Sequence, residues 1–438
     1  MASASLFLGI DIGTSGCRSC VIDAAGEIRT GVRTALPAPV RKGSAVEQDP
    51  ARWWSALAKN LDTLATRVSM GTIEAICLDG TSSTLLCCDA AGIPLAPALM
   101  YNDARATAAA QRIKACAPHD SAAHGASSSL AKLLWLLDTP AGKSASHTLH
   151  QADWLLGRLC GRYGISDENN ALKLGYDVIN RCWPDWLKAL DIPPALLPGV
   201  VPAGQAIGSP DATARTRWGF TAQARIVSGT TDSTASFIAT GARPGEAVTS
   251  LGSTLVLKVL ADRPLFEPAN GIYSHRLGNR WLVGGASNSG GAVLKQYFSD
   301  SEMARLTLLL QPDTPTGLDY YPLVAPGERF PVNDPGLAPR LSPRPADDAV
   351  FFQGILEGIA RIEQQGYRRL AVLGAPWPTR VLSTGGGAAN SGWRRLRATL
   401  LGVPVVAARH QAAAYGSALL ARACITEIQA APDTGDPA

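Results

Sequence analysis

This 438-residue chain lacks long apolar runs, a strong excess of either charge, and the residue spacings that bind metals. No apolar stretch reaches the length of a membrane span, about 20 residues, so no transmembrane helix is expected. The net charge is only +4 and Lys and Arg are scattered, so neither nucleic acid nor a membrane surface is indicated as a partner. Strand-like residues begin at Leu6, which leaves no room for a signal or transit peptide, and a cytoplasmic location is expected. The nine cysteines are Cys17, Cys20, Cys77, Cys87, Cys88, Cys116, Cys160, Cys182 and Cys424. Most fall in apolar patterns, as reduced core cysteines do. Cys17 and Cys20 form a lone C-x-x-C, but on a strand those positions face opposite sides, and no second pair completes a metal site. His147 and His150 also lack suitably spaced partners and read as surface histidines. There is no G-x-x-x-x-G-K-[ST], which disfavours a P-loop fold. There is no G-x-G-x-x-G between a strand and a helix, which disfavours a dinucleotide fold.

What is present is a balanced globular composition, 46% hydrophobic and 17% charged, in a chain long enough for two domains. Residues Leu6 to Asp23 read as two strands joined by Gly13-Thr-Ser-Gly16, a turn able to aim N–H groups and hydroxyls at a phosphate. Asp11 ends the first strand beside that turn, placed to hold a hydrated Mg²⁺ or orient a substrate hydroxyl. Taken alone, the same residues make an ordinary hairpin. Asp49 caps a helix with Pro50 at its first position, and Trp53, Leu57, Leu61, Leu64 and Val68 form its apolar face. Ile73 to Cys88 repeats the order strand, Gly/Ser/Thr turn, strand. Tyr101-Asn-Asp-Ala-Arg105 reads equally as a polyol contact or as the cap of a helix beginning near Ala104. Pro193 to Asp211 is a proline- and glycine-rich connector. It leads to Val227-Ser-Gly-Thr-Thr-Asp232, where a strand runs into a small-residue helix, Ser233 to Thr240. A carboxylate in that first turn sits at the positive end of the helix dipole, ionised and able to accept a proton from a hydroxyl. Taken alone, the segment favours an N-cap without chemistry.

The pattern restarts after Gly245. Ala247 to Val259 is a second strand–Gly–hydroxyl–strand unit, whose Leu251-Gly-Ser-Thr254 mirrors Ile12-Gly-Thr-Ser15. Trp281 to Gly291 is a strand ending in glycines, Gln311 to Asp348 is loop-rich, and a helix from Phe351 follows. Val381 to Asn390 is a strand with three glycines at the mouth of a Ser391–Leu401 helix. Such a turn admits a nucleotide closely and favours its negative charge, though glycines also serve tight packing. Two Gly-hydroxyl hairpins in one chain are the layout of an actin-like ATPase.

The runs Gly9-Ile-Asp-Ile-Gly-Thr-Ser-Gly16, Asp79-Gly-Thr-Ser82, Asn170-Ala-Leu-Lys-Leu-Gly-Tyr176 and Gly229-Thr-Thr-Asp-Ser233 make the chain resemble the FGGY carbohydrate kinases. So do Val248-Thr-Ser-Leu-Gly-Ser-Thr254, Gly285-Ala-Ser-Asn288, Gly317-Leu-Asp-Tyr-Tyr-Pro322 and Gly385-Gly-Gly-Ala388. Within that family it looks most like the short cyanobacterial and plant pentulose kinases described as D-ribulose kinases. Many members have Trp-x-Asp-x-Arg where this chain has Tyr101-Asn-Asp-Ala-Arg105.

The resemblance implies an α/β fold of two actin-like (ribonuclease H-like) domains with an interdomain cleft, in the sugar kinase/actin/Hsp70 superfamily. It places the first domain at 1–241 and the second at 245–411. A helix at 412–425 is expected to pack on the first, with a tail at 426–438. It implies ATP-dependent phosphorylation of a pentulose, D-ribulose first, with D-xylulose or another ketose or polyol as alternatives. A non-catalytic sugar or nucleotide sensor and an actin-like ATPase are the rivals of another class. Asp232 would be the base and Asp11 would help hold Mg²⁺, through water, and the sugar. Ser15, Gly16 and Ser82 would also contact the sugar. Gly13, Thr14 and Ser15, with Gly252, Ser253 and Thr254, would hold phosphate. Gly291, Gly386, Gly387, Ala388 and Asn390 would line the adenosine site, with Trp393 as a wall. Sugar and ATP are the expected partners of a monomer or small homo-oligomer.

Overall fold

A computed structural model of the chain describes residues 5–430. They divide into two compact units, residues 5–239 with 412–430, and Thr240–Gln411.

The first unit is built on a six-stranded sheet of β1 (Leu6–Gly13), β2 (Gly16–Asp23), β3 (Ile28–Ala35), β4 (Ile73–Gly80), β5 (Ala206–Gly208) and β6 (Arg225–Val227), in the order β5-β6-β4-β1-β2-β3. β1, β2 and β3 form an antiparallel meander, while β1, β4 and β6 run parallel. Parallel strands are covered on both faces, so β1 and β4 are nearly continuous apolar runs. One face carries Leu8, Ile10, Ile12 and Cys17 against Trp53, Leu57, Leu61 and Leu64 of the helix Pro50–Ala65. That helix opens as its sequence predicts, with Asp49 accepting from the Ala51 N–H at 2.9 Å. The other face carries Phe7, Cys20 and Cys77 against Ala414, Ala418 and Ala421 of the last helix, Ala413–Ala430. Cys17 and Cys20 thus lie on opposite faces, and all nine cysteines are free thiols.

Four expectations are corrected in this unit. The last helix runs on to Ala430, so residues 426–430 are helix rather than tail, and 431–438 lie outside the described residues. The Pro193–Asp211 connector contains β5 and a short strand, Gly199–Val201, paired with Ile165–Asp167. His150 is fully buried rather than superficial, bonded through Nδ1 to Asp153 at 2.9 Å and through Nε2 to Ser129 at 3.0 Å. The helix expected near Ala104 begins at Thr107, with no side-chain cap. Asp103 instead accepts from the Val46 N–H at 2.6 Å and pairs with Arg105, which also bridges to Glu47. The buried Asp103 carboxylate therefore ties the 101–105 segment to the strand Ala45–Gln48.

The second unit repeats the plan. Its strands are β7 (Glu246–Leu251), β8 (Leu255–Ala261), β9 (Tyr273–Leu277), β10 (Arg280–Ser287), β11 (Arg380–Thr384) and β12 (Val405–Ala407), ordered β9-β10-β8-β7-β11-β12. The β7–β8–β10 meander is antiparallel, and β7, β11 and β12 are parallel. The 25-residue helix Asp348–Val372 buries Phe352, Ile355, Leu356, Ile359 and Ile362. Behind β7 and β11, Arg397 and Glu363 form a buried ion pair at 2.6 and 2.7 Å. Arg397 also donates to Ser383, while Glu363 accepts from Thr249.

Candidate functional site

In the first unit three carboxylates gather at the C-terminal ends of neighbouring parallel strands, Asp11 and Asp79 within the last rungs of the ladder rather than closing it, since β1 runs on to Gly13. Asp11 on β1 and Asp79 on β4 are register partners, so adjacent parallel strands bring their side chains out on the same face. β6 ends at Val227, and a bridge between Gly80 and Thr231 carries the chain past the end of β4 into the helix Asp232–Ala239. Gly229 makes this route open, because a Cβ there would stand 2.0 Å from the Leu78 carbonyl oxygen. Asn169 donates to Thr230 at 3.1 Å, and Thr231 and Thr234 pair at 3.0 Å, fixing the turn. Asp232 therefore enters the first turn of its helix half-buried, with Oδ1 accepting from the Ser233 N–H at 2.6 Å.

Asp11 is buried and paired at 2.9 Å with Arg18, which also reaches the Ser15 hydroxyl at 3.2 Å. Burial raises the Asp11 carboxyl above its ordinary range, and Arg18 opposes that rise. Asp79 is fully buried. Burial pushes its carboxyl well up, the charge of Asp11 adds to this, and the Ser417 hydroxyl opposes it. Ser417, from the last helix, donates to Asp79 Oδ2 at 2.6 Å, while Asp79 Oδ1 has no hydrogen-bond partner. Thr14 is half-buried and Ser15 exposed on the turn between β1 and β2. Gly13 pairs across this turn with Gly16, which is buried against the Thr34 carbonyl. Ser82 is half-buried on the turn after β4, and the Gln151 side chain holds that turn by accepting from the Thr81 N–H at 3.0 Å.

In the second unit a cavity of about 510 Å³ is lined by Gly252, Ser253, Gly291, Gly386, Gly387, Asn390 and Trp393, with Met303 and Phe352 among its apolar walls. The Gly252–Thr254 turn closes on itself through Gly252 N–H to Thr254 carbonyl at 3.1 Å. It is pinned by the Gly291 N–H, 2.9 Å from the Gly252 carbonyl. A Cβ on Gly291 would lie 2.8 Å from that same oxygen, so only glycine allows this approach. Thr254 and Ala388 do not line the cavity, and Ala388 is buried. Both ends of the Asn390 amide are engaged, Oδ1 by the Trp393 N–H at 2.8 Å and Nδ2 by Thr307 at 2.9 Å. Trp393 is buried, and its indole N–H donates to the Leu356 carbonyl at 3.2 Å.

Sequence reasoning assigned no role to Arg18, Asp79 or Ser417. Arg18 was readable, because a turn centred between Thr14 and Ser15 sets residue 18 opposite residue 11. Asp79 stood inside a recognised run. Ser417 carried no signal, since it reaches Asp79 only through the packing of the last helix. Among the described residues no group of three or more His, Cys, Asp or Glu side chains could hold a metal by itself. The oxygen-only pair of Asp11 and Asp79, one of whose oxygens is buried without a partner, nonetheless suits a hard cation that keeps several waters.

Two repeats of an antiparallel meander joined to parallel strands, one with clustered carboxylates and one with a glycine-lined cavity, define the actin-like class of two-domain sugar kinases. The models of the FGGY family of carbohydrate kinases match the chain in both parts, the N-terminal domain over residues 6–239 and the C-terminal domain over 247–424. The chain belongs to that family and is a carbohydrate kinase. It is 25% identical to the xylulose kinase of Escherichia coli K12 over 418 residues, 91% of this chain and 85% of the relative. It is 27% identical to the glycerol kinase of Gloeobacter violaceus over 430 residues, 92% and 85% of the two chains. Its fold matches the crystal structure described as a xyloylose kinase from Brucella ovis with a TM-score of 0.86 at 25% identity, covering 96% of this chain and 91% of the other.

Proposed function

We propose that the protein transfers the terminal phosphoryl group of ATP to a hydroxyl of a pentulose, with D-ribulose the first substrate to test. Support for D-ribulose comes from the Asn170–Tyr176 and Gly317–Pro322 runs. In the fold these serve packing, as Asn170 bonds Asp167 at 2.6 Å and Tyr320 is buried. D-xylulose is the second reading, favoured by relatives such as the E. coli xylulose kinase.

The observation that carries the proposal is the carboxylate cluster around Asp232. Asp232 is the base, held in the first turn of a helix whose dipole favours negative charge there. It orients the acceptor hydroxyl and takes its proton as the bond to phosphorus forms, and the leaving group is ADP. Little basicity is required, because alignment and charge neutralisation carry most of phosphoryl transfer. Ser82 contacts the sugar, and Thr14 and Ser15 receive phosphoryl oxygens, with Arg18 close enough to add positive charge. In the second unit the cavity holds adenosine between Trp393 and its apolar walls, and the Gly252–Thr254 turn holds phosphate. Mg²⁺, which would sit at Asp11 with Asp79 close by, neutralises phosphate charge when bound. The test is Asp232→Asn, expected to abolish pentulose-dependent ADP release while the variant still binds ATP. Retention of most of the turnover would refute the assignment of the base.

A further inference from the structure

The turn that carries Ser82 is held in a costly conformation by a costly group. Ser83 stands at φ 67°, in the left-handed region that disfavours residues other than glycine by about 1–2 kcal/mol. Its carbonyl accepts a 2.7 Å hydrogen bond from Lys132 Nζ, which also donates to the Tyr101 carbonyl at 3.3 Å. Lys132, on the helix Ser129–Leu137, is fully buried. Its hydrogen bonds go to those two carbonyls and not to a carboxylate, because Asp103 is occupied by Arg105 and the Val46 N–H. An ammonium buried without an ion-pair partner is strongly disfavoured relative to an apolar side chain of the same size. Burial draws its pKa down to about 7, with Asp103 opposing and Lys173 adding to the fall.

The two segments that Lys132 ties together hold polar atoms the protein leaves unmet. Ser83 Oγ and Asn102 Oδ1 are buried without hydrogen-bond partners. So is Nε2 of Gln151, whose Oε1 braces Thr81 in the same turn. Buried polar groups are rarely left unpaired in a finished core, so several around one lysine point to a polar ligand or water completing them.

We propose that Lys132 is a positioning residue for the acceptor sugar. It ties the Ser83 and Tyr101 carbonyls together, so that Ser82 and Asn102 are set to read the hydroxyls of a polyhydroxy ketose or polyol. This rests on the pentulose kinase reading and adds the framework that selects the acceptor.

The test is initial-rate kinetics of Lys132→Met, which keeps the bulk and removes the donor, and of Asn102→Ala, which leaves Lys132 in place. Each is compared with wild type on its best sugar. The expected result in both variants is a rise of tenfold or more in KM for the sugar, with KM for ATP within twofold. A purely structural lysine would change both KM values together or neither, and either pattern would overturn the proposal. If Lys132→Met does not fold, Asn102→Ala decides: an unchanged sugar KM overturns the proposal. If wild type phosphorylates none of the sugars offered, the pentulose kinase reading fails, and this inference with it. An active wild type whose variants keep their sugar KM overturns this inference alone.

Discussion

Replacing Arg397 by Met should destabilise the second unit far more than removing Arg397 and Glu363 together. Arg397 and Glu363 are both buried, and Arg397 donates to both Glu363 oxygens and to Ser383 at 2.7 Å. Among the described residues Glu363 has one other donor, the Thr249 hydroxyl, at 2.5 Å, and Thr249 is in turn paired with the Tyr367 hydroxyl at 2.7 Å. Arg397→Met therefore leaves a carboxylate buried with one hydrogen bond, a loss of about 3–5 kcal/mol. In Arg397→Met/Glu363→Leu no charge is stranded. What remains unmet is the hydroxyl of Ser383 and one bond of Thr249, about 1 kcal/mol each. The double variant should thus lose about 2 kcal/mol, less than Arg397→Met alone, whereas independent sites would add their losses. Urea melts followed by far-ultraviolet circular dichroism measure both. An Arg397→Met cost below about 1 kcal/mol, or a double-variant cost equal to the sum of the singles, would refute the reasoning.

Three further outcomes are expected. Gly291→Val should raise KM for ATP by about tenfold or more with the sugar KM unchanged, because its Cβ would stand 2.8 Å from the Gly252 carbonyl that anchors the turn. An unaltered KM for ATP would separate that turn from nucleotide binding. Asp11→Asn should raise the Mg²⁺ concentration needed for half-maximal turnover more than it weakens nucleotide affinity, and equal effects on both would contradict a metal role. Lys132 predicts a pH dependence of stability. In the unfolded chain a lysine keeps its proton up to its ordinary 10.5, whereas the folded protein releases it near 7. Between those values the unfolded state binds more protons, so stability rises with pH, by up to about 1.4 kcal/mol per unit. Lys132→Met should remove that rise in thermal melts between pH 7 and 10, and an identical slope in wild type and variant would refute it.

Much of this site was legible in the sequence because its parts are local. The β1–β2 hairpin, the Gly252–Thr254 turn and the strand-to-helix passage at Asp232 each set their geometry within a few residues. Glycine, hydroxyl and carboxylate spacing therefore exposed them. The seven cavity residues expected to meet nucleotide or phosphate come from three separate runs, and the repeat of the hairpin pattern is what linked them. What stayed hidden depends on contacts between distant segments. Ser417 meets Asp79 across 338 positions, and Lys132 meets Ser83 across 49. His150 looked superficial because its partners, Asp153 and Ser129, satisfy an imidazole that no metal spacing marks. The 101–105 cluster misled in another way. Its polar residues suggested a ligand or a cap, and the cap fails because Asp103 accepts instead from the Val46 N–H of the strand Ala45–Gln48.

The most direct test of the account is ADP release with ATP and Mg²⁺ against D-ribulose, D-xylulose, L-ribulose, ribitol and glycerol, each beside a blank without sugar. Wild type and Asp232→Asn are run together. The account predicts a rate well above blank with one pentulose, D-ribulose first, that is lost in Asp232→Asn. Rates equal to the blank for every sugar, or equal rates in wild type and variant, would contradict it.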